Sequence, residues 1–113
     1  VIENTSFGSI QIDGKTYTTD VLIYPDGRVV DGWWRRHGHR LTLDDLDNLL
    51  AADPESIVIG TGVYGRMQPE DGLEKALRKQ GIELIIDATG DAIHRFNRLY
   101  GTRRVGGGFH LTC

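Results

Sequence analysis

The sequence predicts a three-layer α/β domain with a mixed sheet, and three observations predict it. Apolar and polar residues alternate through the first third of the chain. From residue 41 the apolar period changes to about 3.6. A short continuous apolar run at 57–59 and a buried-type strand at 82–86 then separate the helical stretches. Alternating β and α segments after a run of hairpins imply parallel pairing among the later strands and antiparallel pairing among the earlier ones.

The elements follow in order. Phe7, Ile10 and Ile12 lead to Asp13-Gly14, residue types that suit the positive φ angles of a two-residue hairpin turn. Tyr17 follows, then Val21, Leu22, Ile23 and Tyr24 up to Pro25-Asp26-Gly27, where a preset φ precedes a permissive glycine. Val29 and Val30 run on to Trp33-Trp34, completing an N-terminal antiparallel β meander. Leu43, Leu46, Leu49 and Leu50 form the stripe of a first helix, with Thr42 as N-cap, early aspartates complementing the positive end of the dipole, and Asp53-Pro54 closing it. After the strand at 57–59, Gln68-Pro69-Glu70-Asp71 opens a second helix with Leu73, Ala76 and Leu77 inward. Asp71 to Lys75 and Glu74 to Arg78 are its i,i+4 pairs, and Gly81 terminates it. The strand at 82–86 precedes a third helix, capped by Thr89 and ended by Gly101, whose inner face carries Ile93, Phe96, Asn97 and Tyr100. Residues 105–112 form the last strand. No linker or internal repeat divides the chain, so residues 1–113 read as one domain.

A chain of 113 residues, 39% hydrophobic and 26% charged, can bury roughly two thirds of its unfolded surface and needs no staples. With 13 basic and 16 acidic residues the formal charge is −3, which gives no whole-molecule attraction to nucleic acid or anionic lipid, so neither is expected as a partner. A single cysteine, Cys113, forms no internal disulfide; with no apolar run of membrane-spanning length and no secretory layout at the start, a cytoplasmic location is expected.

Three stretches could carry chemistry. Gly60-Thr61-Gly62-Val63-Tyr64-Gly65 has the spacing GxGxxG after a strand, and Asp87 stands 22 residues past Gly65, where a ribose-binding acid would be wanted. A dinucleotide site requires the glycines to open the helix directly, and Gln68-Pro69 postpones it, so no cofactor is expected. The glycines read instead as a tight strand exit, whose loop N–H groups at the carboxyl end of a strand are a natural place for a small anion or acyl group.

The second stretch, Trp33-Trp34-Arg35-Arg36-His37-Gly38-His39-Arg40, combines indoles, guanidiniums and an HxH pair. Arg35 and His39 could grip a phosphate or carboxylate, and an adjacent indole supports the cation. As a metal site it is thin, because His37 and His39 supply two ligands and His94 and His110 would have to converge on them by folding; no metal is expected. The bland arrangement has one tryptophan in the core and the arginines paired with the acid-rich first helix.

The third is the tail, where Gly106, Gly107 and Gly108 inside a strand imply close approach by packed side chains or a ligand. His110 as base and Cys113 as nucleophile lack an evident orienting partner, so no catalytic residue is assigned. Asn97, an amide inside an apolar stripe, must find partners, most simply by tying its helix to a loop or strand edge.

These residues in this order carry a resemblance: Gly14 with Tyr17, Trp34-Arg35 then His39 and Leu41, Ile59-Gly60-Thr61-Gly62, Ala92 with Asn97 and Leu99, and His110-Leu111-Thr112-Cys113. Over nearly its whole length the chain resembles the small, functionally uncharacterised α/β domain family first described from an archaeal structural-genomics protein, which also includes a mitochondrial complex I assembly factor and a cytoplasmic adipogenesis-associated protein. The resemblance implies a central mixed five-stranded sheet with a flanking β layer. It brings no reaction, catalytic residue or cofactor, and its mitochondrial relative suggests a protein partner.

Two functions are therefore weighed. A non-enzymatic binding or assembly module should expose a contiguous apolar patch including Trp33 or Tyr64. A small-anion or acyl binder, or minor enzyme, should instead gather Arg35, His39, Gly60, Thr61, Gly62, Asn97, Gly107 and His110 around one pocket. Homodimerisation through edge strands of the meander is left open.

Overall fold

A computed structural model describes all residues, 1–113. Strands β1 (Ile2–Ser6), β2 (Ser9–Ile12) and β3 (Lys15–Tyr17) form a separate antiparallel sheet in the order β1-β2-β3. Its second turn is the expected one, with Asp13 at φ 50° and Gly14 at φ 82°. The meander stops there. Strands β4 (Val21–Ile23) and β5 (Val29–Asp31), which the sequence places in the same meander, belong to the central sheet. The reason lies in β4, whose three residues are all buried, as a strand covered on both faces must be.

The central sheet has the order β5-β4-β10-β7-β9, with β7 (Ser56–Thr61), β9 (Glu83–Asp87) and β10 (Val105–His110) mutually parallel and β4 antiparallel to β10. Two-residue strands β6 (Arg40–Leu41) and β8 (Gln68–Pro69) pair in parallel beside it. Side-chain alternation along β7 and β10 divides the core. Val58, Val105 and Phe109 face helix α3 (Thr89–Leu99) and the β1–β3 sheet, where Phe96, Ile10 and Ile12 are also buried. Ile57 and Ile59 face the opposite side, against Trp33, Leu46 and Leu49 and against Leu73 and Leu77 of helix α2 (Leu73–Lys79).

The first helix is shorter than its leucine stripe suggests: a 3₁₀ turn at Asp44–Leu46 runs into helix α1 (Asp47–Leu50), and Asp53 at φ 54° ends the segment. Thr42 does not cap it. Its N–H donates to Asp45 Oδ2 at 2.9 Å, and its hydroxyl has no partner, because Asp45 folds back to hold the chain that precedes it. Gln68-Pro69 forms β8 rather than opening α2, which begins after Gly72 at φ 84°. Glu74 and Arg78 pair at 3.3 Å as expected, whereas Asp71 and Lys75 form no ion pair. Gly81 and Gly101, at φ 79° and 88°, terminate their helices in the left-handed region.

The glycines of β10 are required by packing on both faces. A Cβ on Gly107 would lie 2.6 Å from Phe109 Cε2 and 3.0 Å from Phe96 Cδ1; one on Gly108 would lie 2.8 Å from Trp33 Cη2. Side chains fill the space a Cβ would need.

Candidate functional site

The polar residues the structure does gather lie where the carboxyl end of β10 meets the β3–β4 connection and the loop after β5. Asp20, just before β4, is the centre. Its Oδ1 accepts the Leu111 N–H at 2.8 Å, and its Oδ2 accepts His110 Nδ1–H at 2.8 Å. Arg35 Nη1 lies 2.8 Å from the same Oδ2, out of line for a hydrogen bond, so that contact is Coulombic. The Arg35 and His110 side chains are 6% and 8% exposed, so the three groups form an ionic cluster almost closed to water.

The cluster fixes a tautomer. A carboxylate only accepts, so the proton sits on Nδ1 of His110. Arg35 Nη2, 3.1 Å from that nitrogen, faces another donor and is held there by the shared carboxylate. Nε2 is enclosed and without a partner. Burial alone would raise the Asp20 carboxyl; the His110 bond, the Leu111 N–H and the Arg35 guanidinium together hold it below the usual carboxylate range.

Arg35 also stacks on the Trp33 ring, 4.8 Å from its centroid, and His39 meets His110 edge-on at 6.3 Å between centroids. Three of the expected residues thus meet: Arg35, His39 and His110. Asp20, which organises them, gave no signal beyond being a lone acid between two strands. The pairing of the arginines with the acid-rich first helix does not form. Arg35 turns to Asp20, and Arg36 reaches Asp45 only through its backbone N–H, at 3.1 Å.

The glycine loop is arranged differently from an anion cradle. The Gly62 N–H donates to Thr89 Oγ1 at 2.9 Å, Val63 N–H to Thr112 O at 2.7 Å, Gly65 N–H to Gly62 O at 3.1 Å, and Arg66 N–H to Cys113 O at 3.0 Å. Every one of these donors is engaged inside the fold. Gly62, at φ 108°, has the backbone of Thr112 and Cys113 packed where a side chain would stand. Gly60 meets Thr89 and Phe109 in the same way, and Thr61 Oγ1 donates to Asp87 O at 3.1 Å.

Thr89 is no helix cap. Buried, it donates its hydroxyl proton to His110 O at 2.6 Å while accepting from Gly62, joining β7, β10 and α3 at one atom. Gly107 is packed between Phe96 and Phe109, away from any pocket. Asn97 ties α3 to a strand edge, as its position in the stripe suggests. Its Oδ1 accepts the Ile2 N–H at 3.0 Å and its Nδ2 donates to Ile2 O at 2.8 Å.

Exposed apolar surface gathers elsewhere. Phe7 sits in the β1–β2 turn and is 57% exposed; Tyr64 is 67% exposed and Val63 38%. The Phe7 and Tyr64 rings lie 6.4 Å apart. Both segments are pinned to the same stretch of backbone after β10, by Gly8 N–H to Leu111 O at 2.8 Å and Val63 N–H to Thr112 O. Of the tryptophans, Trp33 is core at 8% exposed and Trp34 stands out at 76%. No helix is long and apolar enough to cross a membrane, and no three His, Cys, Asp or Glu side chains are grouped as metal ligands.

Comparison with known proteins agrees with this architecture. The conserved hypothetical protein PH1505 from Pyrococcus horikoshii is 30% identical over 100% of this chain and 99% of its own, with a TM-score of 0.84. MT938 is 29% identical, covering 100% of this chain and 98% of its own, with a TM-score of 0.82. XCC1710 from Xanthomonas campestris, 22% identical over 98% and 83%, shares the fold at a TM-score of 0.80. A family model described as "Protein of unknown function (DUF498/DUF598)" matches residues 2–110, so the chain belongs to the DUF498/DUF598 family.

Proposed function

We propose that this domain is a non-enzymatic binding or assembly module that docks a protein partner on the patch formed by Phe7, Val63 and Tyr64. The observation that carries the reading is the exposed aromatic pair on two independently pinned segments. Exposed aromatics on a rigid backbone lose little conformational freedom on binding, and each buries about 150–250 Å² when covered. Four of the five amides at 62–66, those of Gly62, Val63, Gly65 and Arg66, are internally bonded, which leaves the patch as the better-supported surface. His110 has an oriented imidazole, but its Nε2 is enclosed and hydrogen-bonded to no hydroxyl or thiol that it could activate. On this reading the domain works in the cytoplasm, in keeping with its single cysteine.

The test is affinity capture from native lysate with the full chain, the Phe7→Ala/Tyr64→Ala variant and a Lys79→Ala control. A recurrent partner held by wild type and control and lost by the double variant supports the reading. Equal capture by all three, or none above background, overturns it.

A further inference from the structure

A second surface, built from other segments, has a distinct chemistry. Between the loop after β5 and the first helix lies a cleft of about 390 Å³. Leu22 and Val30 contribute its apolar lining, the Trp33 and Trp34 indoles line it, and Asp44 and Asp47 stand on its helical side. Asp44 and Asp47 are three residues apart across the 3₁₀ turn and α1, a spacing that brings side chains together on one face. Both are exposed, and neither forms an ion pair within the chain. Asp45, between them, is already engaged: its carboxylate accepts the Arg36 and Thr42 N–H groups.

The chain itself shows what completes such a set. Trp33, the neighbouring indole, carries the Arg35 guanidinium over its ring at 4.8 Å, and that guanidinium is neutralised by Asp20 at 2.8 Å. Trp34 stands beside two free carboxylates with no cation on its face. We propose that this cleft receives an arginine side chain displayed by a partner protein. The guanidinium plane would stack on Trp34 and fork toward Asp44 and Asp47, with the aliphatic stem along Val30. Arginine suits the set better than lysine because it alone combines a stacking face with paired donors. The cleft's size, near the small end of ligand pockets (~300–1,000 Å³), fits one side chain. Arg36 also lines the cleft without pairing to either carboxylate, and it weakens the field for an incoming cation.

The experiment titrates the full chain with acetyl-Gly-Arg-Gly-amide, its citrulline counterpart and its lysine counterpart at low ionic strength. Indole fluorescence and indole N–H resonances report, since the only two tryptophans of the chain both line the cleft. The expected result is a saturable response to the arginine peptide and none to the uncharged citrulline peptide. Asp44→Asn/Asp47→Asn should weaken binding about tenfold, Trp34→Ala should remove the response of the remaining indole, and Arg36→Ala should tighten binding. These side chains are exposed, so the variants should keep the wild-type melting temperature. Equal response to citrulline or to lysine, wild-type affinity in Trp34→Ala, or no saturation even in Arg36→Ala overturns the proposal. Phe7→Ala/Tyr64→Ala should bind the peptide normally, which separates this inference from the docking patch.

Discussion

Removing Asp20 should unsettle the fold more than any surface substitution. In Asp20→Ala the Arg35 guanidinium, 6% exposed, loses the carboxylate 2.8 Å away, the Leu111 N–H loses its acceptor, and His110 Nδ1–H loses its own. Breaking a buried pair from one side typically costs ~3–5 kcal/mol, because the remaining charge is stranded. Against a total stability of about 5–15 kcal/mol this is a large share. The melting temperature should fall by roughly 10–20 °C. Urea unfolding gives the free energy, with an unchanged slope showing that the denatured state is not altered. The double variant Asp20→Asn/Arg35→Met is the decisive comparison. Asn keeps an acceptor for Leu111, Met fills the stem's place beside Trp33, and no charge is left buried; at least ~2 kcal/mol should return. A loss below about 1 kcal/mol in Asp20→Ala, or a double variant worse than the single, would refute the account of an interdependent buried cluster.

The same carboxylate sets an acid limb. Its folded pKa lies below its unfolded one, so its contribution is whole above the ordinary aspartate value of ~3.9 and is lost as pH falls through the depressed folded value. The stability gap between wild type and Asp20→Ala should therefore hold down to about pH 5 and narrow below about pH 4 in urea titrations. Gly108→Ala should cost ~1–3 kcal/mol, because its methyl would meet Trp33 Cη2 at 2.8 Å, and the emission of the buried indole should change with it. Asn97→Leu should cost ~1–3 kcal/mol by leaving both Ile2 backbone groups unpaired, and hydrogen exchange should show β1 opening ahead of the central sheet.

Much of the architecture was readable because it rests on local signals. Asp13-Gly14 demanded a hairpin and formed one, the continuous run at 57–59 became a strand buried on both faces, and Gly101 ended its helix. Asn97 was readable for a similar reason, since an amide in an apolar stripe has few ways to be satisfied. What could not be read was long-range. Asp20 is meaningful only because β10 delivers His110 and Leu111 to it from 90 residues away. Thr89 has the residue type and position of a cap, yet the neighbouring carboxyl ends of the parallel strands β7 and β10 offered its hydroxyl two better partners. Phe7 is out of phase with Ile10 and Ile12, and the tight turn at Gly8 leaves it outside both strands. The split of the first hairpins between two sheets likewise depended on which neighbours β4 would find, a choice settled by β10.

That strand also governs how the molecule is made. The β4–β5 hairpin and the β7–β9 pair are hydrogen-bonded to each other only through residues Val105–His110, which are synthesised after both. Until that strand is added, the edges of β4 and β7 that it covers have no partner strand. Its insertion is a keystone step of high contact order, and before it the chain most needs shelter from edge-to-edge association.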